Sequence, residues 1–263
     1  MQSSWSREWG RAVMSSCYLS VVIPAYNEER RLPDTLAAIR GYLRRQDYAW
    51  EIVVADDGSE DTTAGLVQDV ARGEPNITLI SLSHRGKGSA VKHGMLAAVG
   101  DFRFLCDADL SMPIEHLERL LPDAAPAADI VIGSREAAGA RRIGEPRRRW
   151  RMGRVFNAMT QLLAAPGIAD TQCGFKVFRA TAAEPLFALQ TLDGFAFDAE
   201  ILFLARRRGF TVAEVGIDWH YRAESKVRPF RDGWRTLRDL LIIRWRWLTG
   251  RYPPPANDGR PTR

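Results

Sequence analysis

The sequence has few lysines and few cysteines. Only four of its 37 lysine and arginine residues are lysines, so arginine carries most of the positive charge behind the net charge of +5. The three cysteines, Cys17, Cys106 and Cys173, are widely spaced, without a CxxC pair or histidines at metal-ligand spacing. This spacing argues against a disulfide framework and against a zinc site, and it is typical of a protein from a reducing compartment.

Long hydrophobic runs and two common nucleotide-binding motifs are also missing. No uninterrupted apolar run reaches the roughly 18 to 20 residues that a membrane-spanning helix needs, and the first residues do not resemble a signal peptide. Neither GxGxxG nor GxxxxGK[ST] occurs, which argues against the dinucleotide-binding and P-loop classes. These absences predict an intracellular protein that is soluble or peripheral to a membrane.

The composition predicts one folded α/β domain. Of the 263 residues, 46% are hydrophobic and 26% are charged, as is usual for globular proteins. We expect the domain to span residues 18–250, with a flexible arm at 1–17 and a disordered tail at 251–263. The basic charge fits anionic partners such as nucleotides, phospholipid surfaces or nucleic acid.

Strand and helix patterns alternate in the first 110 residues. Short apolar runs alternate with segments whose apolar residues recur at helical spacing, which predicts a doubly wound, mostly parallel sheet with helices on both faces. Ligands of such sheets bind outside the carboxyl ends of the strands. The predicted strands lie at 19–24, 51–56 and 77–82, the helices at 27–45, 61–72 and 88–99, and a fourth strand runs into Asp107.

Polar residues follow the first two predicted strands. Tyr26 and Glu28 come after the first strand and Asp56 comes at the end of the second, so we expect these turns to lie side by side. An aromatic ring and carboxylates suit a nucleoside, because the ring stacks on the base and the carboxylates accept hydrogen bonds from hydroxyls. The alternative is that Asn27 and residues 57–59 only cap the helices that follow.

A glycine-flanked cation follows the third strand. Lys87 stands between Gly86 and Gly88 where the next helix is predicted to begin. Exposed backbone N–H groups and the helix dipole would add to its charge, which favours a diphosphate or a sugar. A plain surface turn is the alternative.

The fourth strand ends in an Asp-x-Asp pair. Asp107 and Asp109 place two carboxylates at the mouth of a buried strand, where they repel each other unless a cation neutralises them. Mg²⁺ or Mn²⁺, held by one or two carboxylates together with a substrate diphosphate, does this well. The pair therefore predicts a divalent metal site.

The motifs PxYNE, DDGS and DxD occur along the chain in this order. They resemble the motifs of glycosyltransferase family 2, the inverting enzymes of the GT-A fold. Three later segments, 170–176, 195–200 and 224–230, are similar to the dolichyl-phosphate β-glucosyltransferase branch, and the resemblance covers about residues 19–250. The sequence DADLS around the acidic pair is also similar to the phosphomannose branch, which leaves mannose open as the transferred sugar.

The resemblance implies a fold and a reaction. It implies a GT-A domain with a nucleotide-binding half at about 18–110 and an acceptor half at about 111–250. The reaction implied is transfer of glucose, with inversion, from UDP-glucose to a dolichyl or polyprenyl phosphate. Alternatives are mannosyl transfer from GDP-mannose, a family 2 transferase with a non-lipid acceptor, and a basic nucleic-acid-binding module. No nucleic-acid motif supports the last, and no Gln-x-x-Arg-Trp motif supports a processive synthase.

Site residues follow from the resemblance by position. Those implied for nucleotide-sugar binding are Pro24, Tyr26, Glu28, Asp56, Lys87 and Asp107. The implied metal ligands are Asp107 and Asp109, and the implied acceptor-phosphate group comprises Arg135, Arg222, Ser225 and Lys226. Asp107, Asp109, Arg135 and Asp198 are the implied catalytic residues. For Asp198 and Glu200 the alternative is a complement to the dipole of an apolar helix.

A lipid acceptor requires contact with a membrane surface. An apolar stripe with arginines around it is typical of an interfacial helix, and core packing of the stripe is the alternative. The arginine-dense stretch at 141–154 suits anionic headgroups, and a merely solvated charge run is the alternative there. We expect a peripheral protein on the cytoplasmic face of a membrane that binds no nucleic acid, and the sequence leaves its oligomeric state open. The stripe consists of Trp234, Leu237, Leu241, Trp245 and Leu248.

Overall fold

The computed structural model describes residues 17–222 and 229–253. Seven strands form the main sheet, two short strands form a second one, and helices connect them. The strands are β1 Leu19–Ala25, β2 Trp50–Asp56, β3 Ile77–Ser81, β4 Phe102–Cys106, β5 Ile130–Ser134, β6 Arg141–Ile143, β7 Phe175–Arg179, β8 Val212–Gly216 and β9 Asp218–His220. The helices are α1 Leu32–Leu43, α2 Thr63–Gly73, α3 Lys87–Ala97, α4 Arg147–Leu163, α5 Ala180–Leu189, α6 Phe197–Arg207 and α7 Pro229–Leu248, with a 3-10 helix at Ile114–Leu120.

The main sheet has the order β3-β2-β1-β4-β7-β5-β8, and β7 alone of these strands runs antiparallel to its neighbours. The predicted mostly parallel α/β sheet is therefore confirmed. All seven residues of β1 are buried, as expected for a strand covered on both faces.

The direction of winding reverses after β3. The chain steps outward from β1 to β2 and β3, and then returns so that β4 pairs with the other edge of β1. Because crossover connections are right-handed, this reversal puts α1 and α2 on one face of the sheet and α3 on the other. The switch point thus lies between the carboxyl ends of β1 and β4, which are followed by Tyr26 and Asp107.

Helix α1 begins at Leu32 rather than at residue 27 as predicted. Asn27 has a φ of 51°, which a helix does not accommodate. Its N–H donates to Ser59 Oγ at 2.9 Å and the N–H of Glu28 donates to Thr63 Oγ1 at 2.8 Å. These two bonds tie the turn after β1 to the turn after β2, and they delay the start of the helix.

Strand β7 brings a distant segment next to the acidic pair. It lies between β4 and β5, with Lys176 opposite Leu105 and Phe175 opposite Cys106. The residues just before β7 therefore lie beside the turn that carries Asp107.

The predicted arm and the predicted tail are described only in part. Residues 1–16, most of the predicted arm, and 254–263, most of the predicted tail, lie outside the described residues. In the described part of the tail the prediction of disorder is wrong, because Tyr252 is only 5% exposed and packs against the core.

Helix α7 presents most of the predicted apolar stripe to solvent. Leu240 and Ile243 face the core, whereas Leu237 is half-buried and the other four residues of the stripe are exposed. The alternative that the stripe packs in the core is therefore wrong. Within the part of the chain that is described, no helix is both long and apolar enough to cross a membrane.

Candidate active site

The turns after β1 and β2 lie side by side, as predicted. Besides the two bonds described above, Asn27 Oδ1 accepts the N–H of Glu60 at 2.8 Å. The capping alternative is wrong, because α1 and α2 begin at Leu32 and Thr63 and neither has a side-chain cap. The polar residues of these turns instead bond to one another.

The predicted nucleoside residues surround these turns. The ring of Tyr26 stacks on His84 with 4.1 Å between centroids and 17° between planes. Asp56 is buried at the end of β2 and accepts the N–H of Ser59 at 3.2 Å. Glu28 forms a two-point ion pair with Arg31, with both N–O distances at 2.7 Å. Pro24 lies within buried β1. Nucleoside binding by these residues stays a prediction.

We predicted exposed backbone N–H groups in the loop around Lys87, but several of them are paired. The buried carboxylate of Asp57 accepts the N–H of Arg85 at 3.0 Å and that of Gly86 at 2.9 Å. The carbonyl of Asp193 accepts the N–H of Gly88 at 2.8 Å. The expectation of open N–H groups is therefore wrong for Gly86, Gly88 and Ser89, which are already paired. The side chain of Lys87 remains as the group of this turn that could bind a diphosphate.

Lys87 reaches across the switch point to the acidic pair. Its Nζ lies 2.6 Å from Asp107 Oδ1, and both side chains are only partly exposed. Burial alone would lower the pKa of Lys87, but the charges of Asp107, Asp198 and Asp109 outweigh it and raise that pKa. Lys87 is thus held as a cation beside the predicted metal site.

The acidic pair fits a divalent ion that is completed by a substrate. Asp109 Oδ1 accepts the N–H of Ser111 at 3.0 Å, and Leu110 between the two acids has a φ of 41°. Among residues 17–222 and 229–253, no group of three or more His, Cys, Asp or Glu side chains could hold a metal. Mg²⁺ is commonly bound by one or two carboxylates together with substrate phosphates and water.

Gly174 provides the space that the Asp107 carboxylate occupies. It precedes β7, and its carbonyl accepts the N–H of Asp107 at 3.2 Å. A Cβ built on Gly174 would overlap the carboxylate of Asp107. The carboxylate is therefore positioned by the absence of a side chain on the neighbouring strand.

We expect Gly174→Ala to reduce activity by roughly 100-fold, because displacement of a reacting group by about 1 Å has that effect. The added methyl would push the Asp107 carboxylate away from its position. The matched control is Gly65→Ala in α2, where an added Cβ meets nothing within 4 Å. Steady-state rates and thermal melts of both variants would check the prediction, and equal activity of the two would contradict it.

A second buried ion pair lies behind the acidic pair. Lys176 Nζ is 2.5 Å from Asp198 Oδ1 and donates to the carbonyl of Cys173 at 2.6 Å. Lys176 is 1% exposed and Asp198 is 6% exposed. Burial raises the pKa of Asp198, although Lys176 and Lys87 oppose this rise. Asp198 thus lies close enough to both lysines to feel their charge, and its catalytic role stays a prediction.

Glu200 does not face this site. Its carboxylate is fully buried and accepts hydrogen bonds from the N–H groups of Thr191 and Leu192 and from the hydroxyl of Tyr252. Glu200 lies in the first turn of α6, where an acid complements the helix dipole, as the alternative interpretation predicted. Its bonds, however, go to the loop before that helix and to Tyr252 beyond α7.

The predicted phosphate-binding residues are in different situations. Arg135 donates from Nε and Nη2 to the buried Asp170 at 2.8 Å each, so its fork is already paired. Burial alone would lower the pKa of Arg135, but Asp170 outweighs it and raises that pKa. Arg222 is exposed, and Ser225 and Lys226 lie outside the described residues. Phosphate binding by all four stays a prediction.

Sequence reasoning did not identify several residues of the site. Asp57 looked like a helix cap, and Asp170, Gly174 and Lys176 stood only as letters of a family motif. The importance of Gly174 and Lys176 follows from the pairing of β7 with β4, about 70 residues earlier in the chain, which no local pattern reports. That of Asp57 and Asp170 follows from their bonds to Gly86 and Arg135, which lie about 30 residues away in the chain. The single available signal was a lysine placed between the apolar residues Phe175 and Val177 of a strand.

The chain matches known glycosyltransferases in sequence. The profile of Glycosyl transferase family 2 matches residues 20–187. Dolichyl-phosphate beta-glucosyltransferase of Dictyostelium discoideum is 36% identical over 251 residues, which cover 90% of this chain and 77% of the relative. The Homo sapiens protein of the same name is 34% identical over 249 residues, which cover 89% and 77%.

Solved structures extend the match to the fold. Glucosyl-3-phosphoglycerate synthase from Mycobacterium tuberculosis, in complex with Mn²⁺, UDP and glucosyl-3-phosphoglycerate, has a TM-score of 0.60 at 20% identity, covering 92% of this chain and 82% of that one. A mannosyltransferase from Pyrobaculum calidifontis, in complex with GDP-Man and Mn²⁺, has a TM-score of 0.54 at 22% identity, covering 90% and 65%. These likenesses confirm the GT-A fold. The chain is a glycosyltransferase that belongs to family 2, and over most of its length it is similar to the dolichyl-phosphate β-glucosyltransferases.

Proposed function

We propose that this enzyme transfers glucose from UDP-glucose to the phosphate of a dolichyl or polyprenyl lipid, with inversion at the anomeric carbon. The observation that carries the proposal is the contact between Lys87 and Asp107 across the switch point of the sheet. There a cation and the acidic pair lie where a nucleoside diphosphate would end. Relatives at about 35% identity that are named dolichyl-phosphate beta-glucosyltransferase support the choice of sugar and acceptor.

The chain's own residues would bind and orient the donor. Asp107 and Asp109 would hold Mg²⁺ or Mn²⁺, as the two-carboxylate arrangement and the Mn²⁺ of two solved relatives support. When bound, the ion would offset charge on the departing diphosphate. Lys87, which pairs with Asp107, would contact the same diphosphate.

The proposed acceptor needs little help from a general base. The second pKa of a phosphate monoester is about 6, so near pH 7 the acceptor is already mostly a dianion. Its oxygen forms a bond to the anomeric carbon while the bond from that carbon to the UDP oxygen breaks, and UDP leaves with the electron pair. Attack from the face opposite UDP inverts the configuration. The exposed Arg222 would offset repulsion between the acceptor phosphate and the donor.

The donor is tested by UDP or GDP release from the purified enzyme with Mn²⁺ and polyprenyl phosphate. UDP-glucose should give release that depends on the lipid phosphate, whereas GDP-mannose should give little. Faster release from GDP-mannose would assign a mannosyltransferase instead. Release that polyprenyl phosphate does not stimulate would exclude the lipid acceptor.

We also propose that the enzyme binds the cytoplasmic face of a membrane through α4 and α7, which contact each other. The exposed Trp234, Leu241, Trp245 and Leu248 of α7 and the exposed Trp150, Val155 and Leu162 of α4 support this location. Exposed arginines accompany them, which suits anionic headgroups. These basic side chains include Arg147, Arg151, Arg154, Arg235 and Arg238.

The double variant Leu241→Gln and Trp245→Gln should bind anionic vesicles at least about tenfold more weakly. Each change removes roughly 2 kcal/mol of apolar burial in the interface. The matched control is Leu96→Gln with Val99→Gln, two exposed apolar positions at the end of α3. Vesicle flotation at low salt measures both, and equal flotation of the two variants would contradict this membrane surface.

A further inference from the structure

The loop at residues 190–194 holds the start of α3 in place. The carbonyl of Asp193 accepts the N–H of Gly88 at 2.8 Å, and Gln190 Nε2 donates to the carbonyl of Gly88 at the same distance. The packing is close: a Cβ on Gly86 would lie 2.5 Å from the Asp193 carbonyl oxygen, and one on Gly88 would lie 2.5 Å from that of Leu192. Any shift of this loop must therefore move the turn that carries Lys87.

The same loop is in turn held by a buried carboxylate. Glu200 accepts the N–H groups of Thr191 and Leu192 at 3.0 and 2.9 Å. It also accepts the hydroxyl of Thr191. With no exposed surface of its own, Glu200 has its orientation set by these partners and by one more donor.

That further donor is Tyr252, four residues after the end of α7. Its hydroxyl lies 2.6 Å from Glu200 Oε1. Burial, together with the charge of Glu200, raises the pKa of Tyr252, so the hydroxyl keeps its proton and acts as a donor. Arg246 in the last turn of α7 also donates to the hydroxyl of Thr191.

We infer that Tyr252 is a positioning residue for Lys87. Its hydroxyl orients Glu200, Glu200 orients the loop at 190–194, and the loop fixes the first turn of α3 so that Lys87 Nζ reaches Asp107. Tyr252 touches no reacting atom, and its effect on sugar transfer rests on the proposed function. Its effect on the α3 turn does not.

The test compares Tyr252→Phe with Tyr48→Phe by hydrogen exchange and by kinetics. Tyr48 precedes β2 and therefore lies at the amino ends of the strands, whereas the Lys87 turn lies at their carboxyl ends. Its change removes a buried tyrosine hydroxyl without touching this chain of contacts. In Tyr252→Phe, the amides of Gly88 and Ser89 should exchange about tenfold faster, as expected when a hydrogen bond to a charged group is lost. The KM for the nucleotide sugar should rise roughly three- to tenfold, while the KM for the lipid acceptor stays unchanged.

Three results would overturn the inference. One is exchange at Gly88 and Ser89 equal to that of the Tyr48→Phe control. The second is faster exchange with an unchanged KM for the nucleotide sugar. The third is faster exchange with equal rises in the KM of both substrates. If the wild type transfers no sugar at all, the proposed function fails, and the exchange comparison still decides whether Tyr252 positions this turn.

Discussion

Asp107→Asn is expected to reduce sugar transfer by about 10²- to 10³-fold or more while the protein stays folded. Asparagine keeps the shape of the side chain against Gly174 but removes the charge that pairs with Lys87 and would bind the ion. Loss of one group that stabilises charge in the transition state has effects of this size. Initial rates at saturating UDP-glucose and Mn²⁺ measure the change.

A matched control for Asp107→Asn is Asp123→Asn, an exposed acid in the segment after the 3-10 helix. It alters the net charge equally and should keep wild-type rates. Binding of UDP should also become independent of Mn²⁺ in Asp107→Asn but not in the control. Turnover by Asp107→Asn within twofold of the wild type would contradict the assignment of Asp107 to the metal.

Lys176→Met is expected to lower the free energy of unfolding by about 3 to 5 kcal/mol. Methionine fills a similar volume, but it leaves the buried carboxylate of Asp198 without its partner at 2.5 Å. Removal of one member of a buried ion pair has this cost because the remaining charge loses its nearest partner. Urea denaturation followed by circular dichroism measures the loss.

The double variant Lys176→Met with Asp198→Asn separates this cause from simple loss of packing. Removing both charges should recover a large part of the stability that Lys176→Met loses. The control is Lys92→Met, whose described bond goes to the carbonyl of Gln190 at 2.8 Å and whose loss should cost about 1 kcal/mol. If the double variant instead loses as much stability as Lys176→Met and Asp198→Asn lose together, Lys176 and Asp198 do not stabilise each other.

The amino-terminal half of the fold was predictable because its elements are local. The apolar runs of β1 to β4 and the helical periodicity between them are visible within short windows, and all four strands were predicted within a residue or two. The start of α1 was not, because Asn27 is drawn into contacts with a turn more than 30 residues away. The acidic pair and Lys87 were identified because parallel strands end at a common edge.

The residues that hold the site residues in place were not predictable, because their contacts are not local. Gly174 matters only because β7 runs antiparallel beside β4, and Tyr252 matters only because it reaches Glu200 from beyond α7. The pairing of Arg135 with Asp170 could likewise not be predicted from the sequence around Arg135. Each depends on a contact between segments far apart in the chain, which periodicity and spacing do not encode.

The most direct test of the account is the mass of the lipid product. Wild-type enzyme and Asp107→Asn are each incubated with UDP-glucose, Mn²⁺ and polyprenyl phosphate, and the organic phase is analysed by mass spectrometry. The proposed function predicts that wild type alone converts the lipid to a species heavier by one hexose. An unchanged lipid with glucose transferred elsewhere, or the same product from both proteins, would contradict it.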